Sequence, residues 1–101
     1  MNKQLIDAID AFECQQYNEA IELLNQVVDE DKTHWTAWYY LAMAYGFAGR
    51  TKSACRILPV IAAMCPDHRM QDKARRGLLT FTTEFYDRLQ VDHPDDHELS
   101  R

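Results

Sequence analysis

The sequence predicts an all-α fold in which pairs of helices repeat. Its 101 residues include only three glycines and three prolines, too few for a β fold that depends on tight turns. Apolar residues recur at helical spacing in five successive segments. The central segment, residues 35–47, holds six of the eleven aromatic residues and is apolar on two faces. A helix of this kind needs neighbours on at least two sides.

The first two helices are predicted at residues 1–14 and from residue 17 to the acidic run at 29–31. The apolar stripe of the first consists of Leu5, Ala8, Ile9 and Phe12. That of the second consists of Tyr17, Ala20, Ile21, Leu24, Val27 and Val28. Because only two or three residues separate them, the two helices must lie antiparallel.

The third and fourth helices are delimited by residues that commonly begin or end helices. Thr33 is the predicted N-cap of the third helix, which ends near Gly49. Thr51 is the predicted N-cap of the fourth, which runs to about Met64 with Pro59 inside it.

A long fifth helix is predicted at residues 69–91, followed by an acidic tail at 92–101. The tail contains His93, Asp95, Asp96 and His97, residue types that bind metals. Pro94 separates the two histidines, so we interpret the segment as a polar tail and predict no metal site.

Composition narrows the function classes. The net charge is −5, and the two basic segments, 35–68 and 69–91, each carry only +2, which disfavours nucleic acid as a partner. No apolar run is long enough to span a membrane, and the N-terminus lacks a secretory signal, so we expect a cytoplasmic protein. The three cysteines form no CxxC motif and are expected to be reduced and buried. Cys65 and His68 have no third partner nearby, and neither an enzyme activity nor a cofactor is predicted.

A sequence repeat relates the two helix pairs. It aligns Ala20 with Ala54 and Leu24 with Leu58. The second copy resembles the tetratricopeptide repeat at Trp38, Leu41, Ala42, Tyr45, Gly49, Ala54, Leu58, Ile61 and Pro66. The resemblance implies one domain over 1–91, with repeats at 1–32 and 35–68 and a capping helix at 69–91. A one-residue slide of the first helix, which would place its apolar stripe on the family's positions, remains open.

The resemblance also implies a concave groove lined by the first helix of each repeat. Its predicted partner-binding residues are Leu5, Ile9, Phe12, Tyr39, Met43 and Phe47. The branch of the family that clamps C-terminal carboxylates has Lys and Asn where this chain has Leu5 and Ile9, so that clamp is not expected. An apolar groove suits the apolar face of an amphipathic helix from a protein partner.

The size and the apolar groove are similar to small tetratricopeptide chaperones of type III secretion, which hold the C-terminal helix of a needle subunit. A chaperone or adaptor of this kind is therefore the predicted function. The alternative is a structural module that self-associates through its last helix. A homodimer and a hetero-oligomer are both left open as assemblies. The stripe of Tyr39, Met43 and Phe47 could equally be core, covered by the last helix.

Overall fold

Five helices follow one another in the computed structural model, which describes the backbone of residues 3–92 and the side chains of residues 3–83. They are α1 (Lys3–Glu13), α2 (Tyr17–Glu30), α3 (Trp35–Phe47), α4 (Thr51–Met64) and α5 (His68–Asp92). Each helix packs on the next, and α3 also contacts α1 and α5. The predicted all-α repeat fold is confirmed.

Two apolar clusters form the core, and α3 contributes to both. The first joins α1, α2 and α3 and includes Leu41. The second joins α3, α4 and α5 and includes Ala42 and Phe81. Since neighbouring residues of α3 face different clusters, the prediction that this helix needs neighbours on two sides is confirmed.

The turns that close the two helix pairs have matching geometry. Gln16 N–H donates to the Ala11 carbonyl, and at the equivalent place in the second pair Arg50 N–H donates to the Tyr45 carbonyl, both at 2.8 Å. Gln15 (φ 65°) occupies the position of Gly49 (φ 88°). The backbone therefore follows the register without a slide, and Gln15 adopts a left-handed conformation that favours glycine.

Replacing Gln15 with glycine is expected to stabilise the protein by about 1 kcal/mol, because a side chain at positive φ is strained and glycine is not. Urea unfolding followed by circular dichroism measures the difference. The reciprocal change, Gly49→Gln, is the matched control and should cost a similar amount, since a Cβ there meets no atom within 4 Å and only the backbone conformation is tested. A Gln15→Gly variant no more stable than the original chain would contradict this account.

The predicted N-cap of α3 was wrong by one residue. The N-cap is His34, whose Nδ1 accepts a hydrogen bond from Ala37 N–H at 3.3 Å. Thr33 instead donates its hydroxyl and its backbone N–H to the Asp31 carboxylate, at 2.9 and 3.0 Å. These bonds from Thr33 lower the pKa of Asp31. The Thr33 hydroxyl is thereby oriented toward Asp31, and the first turn of α3 is capped by His34 instead.

The predicted N-cap of α4 was also wrong by one residue. Arg50 is the N-cap, and Thr51 is the first residue inside the helix. Thr51 is buried, and its hydroxyl oxygen has no hydrogen-bond partner among the described residues. Its side chain therefore faces the interior instead of the first turn's free amides.

The expectation that all three cysteines are buried holds fully for only one of them. All three are free, and Cys65 is buried, Cys55 is partly buried and Cys14 is exposed. Cys14 lies just after the end of α1, in the turn to α2, where the chain is at the surface. The prediction of three buried cysteines was therefore wrong for Cys14.

The fifth helix spans 25 residues, one more at each end than predicted. At 1.5 Å per residue it is about 37 Å long. No helix in the described part of the chain has the length and hydropathy that crossing a membrane requires. The predicted tail beyond Asp92, with its His and Asp residues, lies outside the described residues.

A candidate protein-binding surface

The stripe of Tyr39, Met43 and Phe47 runs along α3 at intervals of four residues, so the three side chains share one face. Their exposure rises along the helix. Tyr39 and Met43 are partly buried against the second core cluster, whereas 53% of Phe47 is exposed. The stripe is therefore core at one end and surface at the other.

The fifth helix covers the middle of this face. A Cβ added at Gly77 would lie 3.4 Å from the Met43 sulfur, which places α5 directly against Met43. The ring of Phe81 lies over Gly46 and is itself buried. The last helix thus fills part of the predicted groove and leaves Phe47 at its open end.

Six rings from four helices form a continuous aromatic cluster around Phe47. Its members are Phe12, Tyr17, Tyr39, Tyr40, Phe47 and Phe81. Neighbouring ring centroids are 5.5 to 5.9 Å apart, within the range in which aromatic pairs attract each other.

Phe47 is the centre of the cluster. It contacts Phe12 of α1 at 5.9 Å, Tyr17 of α2 at 5.7 Å and Phe81 of α5 at 5.8 Å. Each such pair contributes roughly 0.5–1.5 kcal/mol beyond burial of area. An exposed ring supported on three sides loses little side-chain entropy when a partner covers it.

The three residues predicted from α1 are placed differently from one another. Ile9 and Phe12 are partly buried against the first core cluster and retain some exposed surface. Leu5 is only 4% exposed, so it belongs to the core and offers no surface to a partner. Ile6, its neighbour, is the exposed apolar residue of this turn, at 42%.

Tyr17, Tyr40 and Phe81 belong to the cluster but were not among the predicted site residues. Tyr17 begins α2, just after the turn that follows Phe12, and Tyr40 is the residue after Tyr39. Both therefore lie near predicted positions. Phe81 lies on α5, the helix that lacks the residues typical of the repeat. Its place depends on the path of α5, which the repeat pattern does not specify.

Tyr39 places a phenolic hydroxyl at the buried end of the stripe. Burial raises the pKa of Tyr39, and the adjacent Tyr40 raises it further. The hydroxyl of Tyr39 is therefore neutral at physiological pH and can donate or accept a hydrogen bond.

Within the described residues, no group of three or more His, Cys, Asp or Glu side chains is placed to hold a metal ion. Cys65 is buried and His68 is exposed, at the start of α5. What the surface around Phe47 offers is apolar contact area with a few hydroxyl groups.

Paired antiparallel helices that repeat along the chain and expose an aromatic face define a helical repeat protein with a surface suited to protein binding. A sequence model described as tetratricopeptide repeat matches residues 11–75, from the end of α1 into α5. The chain belongs to the tetratricopeptide repeat family, whose repeats mediate protein–protein interaction. Searches of curated proteins and of solved structures gave no significant match.

Proposed function

We propose that this protein is a small chaperone or adaptor that binds the apolar face of an amphipathic helix of a partner protein. The proposed contact surface is the exposed ring of Phe47 with Phe12 beside it, extended by the parts of Ile9, Tyr39 and Met43 that remain exposed. The observation that carries the proposal is the state of Phe47, which is 53% exposed although three rings hold it in place. A partner that covers this ring would bury an aromatic anchor, and buried aromatic anchors contribute much of the energy at binding hot spots.

The geometry suits a helix better than an extended peptide. An amphipathic helix presents anchors at i, i+3 or i+4, and i+7, which matches a line of side chains that continues from Met43 to Phe47 and Phe12. Methionine adapts its shape to different apolar anchors at low cost. A partner needs to bury about 800 Å² here for a contact of standard size.

A specific form of this proposal is a type III secretion chaperone that holds the C-terminal helix of a needle subunit. It is supported by the size of the chain, two repeats and one long helix, and by the apolar character of the surface. A needle-subunit peptide that binds at Phe47 and stays unpolymerised in the complex would support this form.

The experiment selects amphipathic helical peptides from a display library against the whole chain and measures their affinity for variants. Phe47→Ser is expected to weaken binding by about tenfold or more, because it removes the central ring of the surface. Phe47 is a sharper target than Met43, whose truncation would also loosen α5. Helicity by circular dichroism should stay unchanged.

Leu79→Ser is the matched control, since Leu79 is a large apolar residue on α5 that is 71% exposed and lies outside the aromatic cluster. It should leave peptide affinity unchanged. Equal loss of affinity in both variants, or none in Phe47→Ser, would contradict the proposal.

The second candidate is self-association through α5, on which Leu79 is 71% exposed. Light scattering over a concentration series distinguishes the two. A dimer that Leu79→Ser converts to a monomer, together with no peptide binding at Phe47, would replace the first candidate by the second.

A further inference from the structure

A second apolar concavity lies at the opposite end of α3. It has a volume of about 180 Å³, and its walls include Trp35, Trp38 and, from α4, Ile57. Trp35 and Phe47 are the first and last residues of α3, so the pocket lies about 18 Å along the helix from the exposed ring of the aromatic cluster. The two surfaces can therefore be occupied and tested separately.

One wall of the pocket is held by a hydrogen bond, and its mouth is open. Trp38 donates its ring N–H to the Lys32 carbonyl at 2.9 Å, which sets the orientation of the indole. Val60, which also lines the pocket, is 50% exposed, and Met64, one turn further along α4, is 66% exposed. A pocket with rigid aromatic walls and an apolar margin suits a single apolar side chain.

The charges at the pocket are both positive. Lys32 and Arg56 line it, and no acidic residue does. Lys32 forms an exposed ion pair with Asp29 at 3.3 Å, whereas Arg56 has no ion pair within the described residues. Because the charged residues that line this pocket are both basic, the pocket favours an acidic segment over a neutral or basic one.

We propose that this pocket binds an acidic peptide segment of a partner protein that carries one apolar anchor residue. The anchor enters between Trp35 and Trp38, and the flanking carboxylates lie beside Arg56 and Lys32. The inference goes beyond the proposed function because it uses different residues and a different recognition chemistry. A partner that contacts both surfaces would gain affinity from the linkage alone.

The tryptophans make the test direct. The chain contains two, and both line this pocket, so a ligand that enters it must change the intrinsic tryptophan fluorescence. The probe is a set of short acetylated peptides in which one leucine or phenylalanine is flanked by glutamate, by glutamine or by lysine. We expect a saturable fluorescence change with the glutamate peptides, and binding about threefold or more weaker with glutamine.

Two variants assign the response to the pocket. Val60→Glu places a charge at the mouth and should weaken binding of the glutamate peptides by about tenfold or more. Arg56→Gln should lower the affinity of the glutamate peptides to the affinity that the glutamine peptides have for the unchanged protein. Phe47→Ser should leave the response intact, which separates this inference from the proposed function.

Three results would overturn the inference. They are the absence of a saturable change with every peptide, equal affinity for glutamate and glutamine peptides, and a response that survives Val60→Glu. Circular dichroism of each variant establishes that the fold is retained, since Val60 and Arg56 are both exposed.

Discussion

Replacing Phe81 with alanine is expected to cost about 3 to 5 kcal/mol of unfolding free energy, the usual loss for a large buried aromatic residue. Phe81 is 2% exposed and is the largest fully buried side chain among the described residues. It joins α5 to the second core cluster and also contacts Phe47. Urea unfolding measures the loss, and hydrogen exchange shows whether α5 opens first.

Phe81→Leu is the control for this prediction. It keeps an apolar side chain of smaller size in the same place and should cost about 1 to 2 kcal/mol. If Phe81→Ala lowers the unfolding free energy no more than this control does, then the Phe81 ring is not what holds α5 in place. A domain of this size has only about 5–15 kcal/mol of stability, so the alanine variant is expected to be marginal.

The fifth helix has two roles, and Phe81 takes part in both. It closes the second core cluster, and through Phe81 it forms one side of the support beneath Phe47. A repeat array depends on contacts between neighbouring units, and the last unit needs a cover. In this protein the covering helix also shapes the proposed binding surface.

The helices were predictable because the repeat places apolar residues where each helix meets its neighbours. The bounds of α4 follow directly from this pattern, with Leu58 and Ile61 fully buried. The N-caps were less predictable. Thr33 has the right chemistry for a cap, but its hydrogen bonds to Asp31, two residues away, orient its hydroxyl toward that carboxylate, and His34 accepts from the first turn instead. Local hydrogen bonds of this kind compete with capping and leave no clear signal in the sequence.

The candidate site was only partly predictable. Phe47 was named from its position in the repeat and is 53% exposed, and its role in binding a partner stays a prediction. Leu5 was named by the same rule and is buried, because it faces the first core cluster together with Ala8 and Ala11. Phe81 was not named, since its contact with Phe47 depends on how closely α5 approaches α3. The close approach requires a residue without a side chain at position 46, where the Phe81 ring lies over Gly46.

Replacing Gly46 with alanine is expected to displace α5 and to destabilise the protein by about 2 kcal/mol, because the added methyl group overpacks a buried contact. A Cβ at this position would lie 2.6 Å from Cε2 of Phe81 and closer still to Cζ and Cε1. Overpacking of this kind costs about 1–3 kcal/mol or more, whereas alanine in a helix interior gains only about 1 kcal/mol over glycine. Urea unfolding gives the net change, and increased binding of the dye ANS would report the displaced helix.

Gly77→Ala is the matched control, because it adds the same methyl group to a buried helical glycine at the same helix interface. A Cβ there would lie 3.4 Å from Leu58 and from Met43, an ordinary contact, so this variant should be about 0.5–1 kcal/mol more stable. In the Phe81→Ala background the clash at Gly46 disappears, and Gly46→Ala should become neutral or stabilising. If Gly46→Ala destabilises the protein equally with and without the Phe81 ring, then the ring is not what requires glycine at this position.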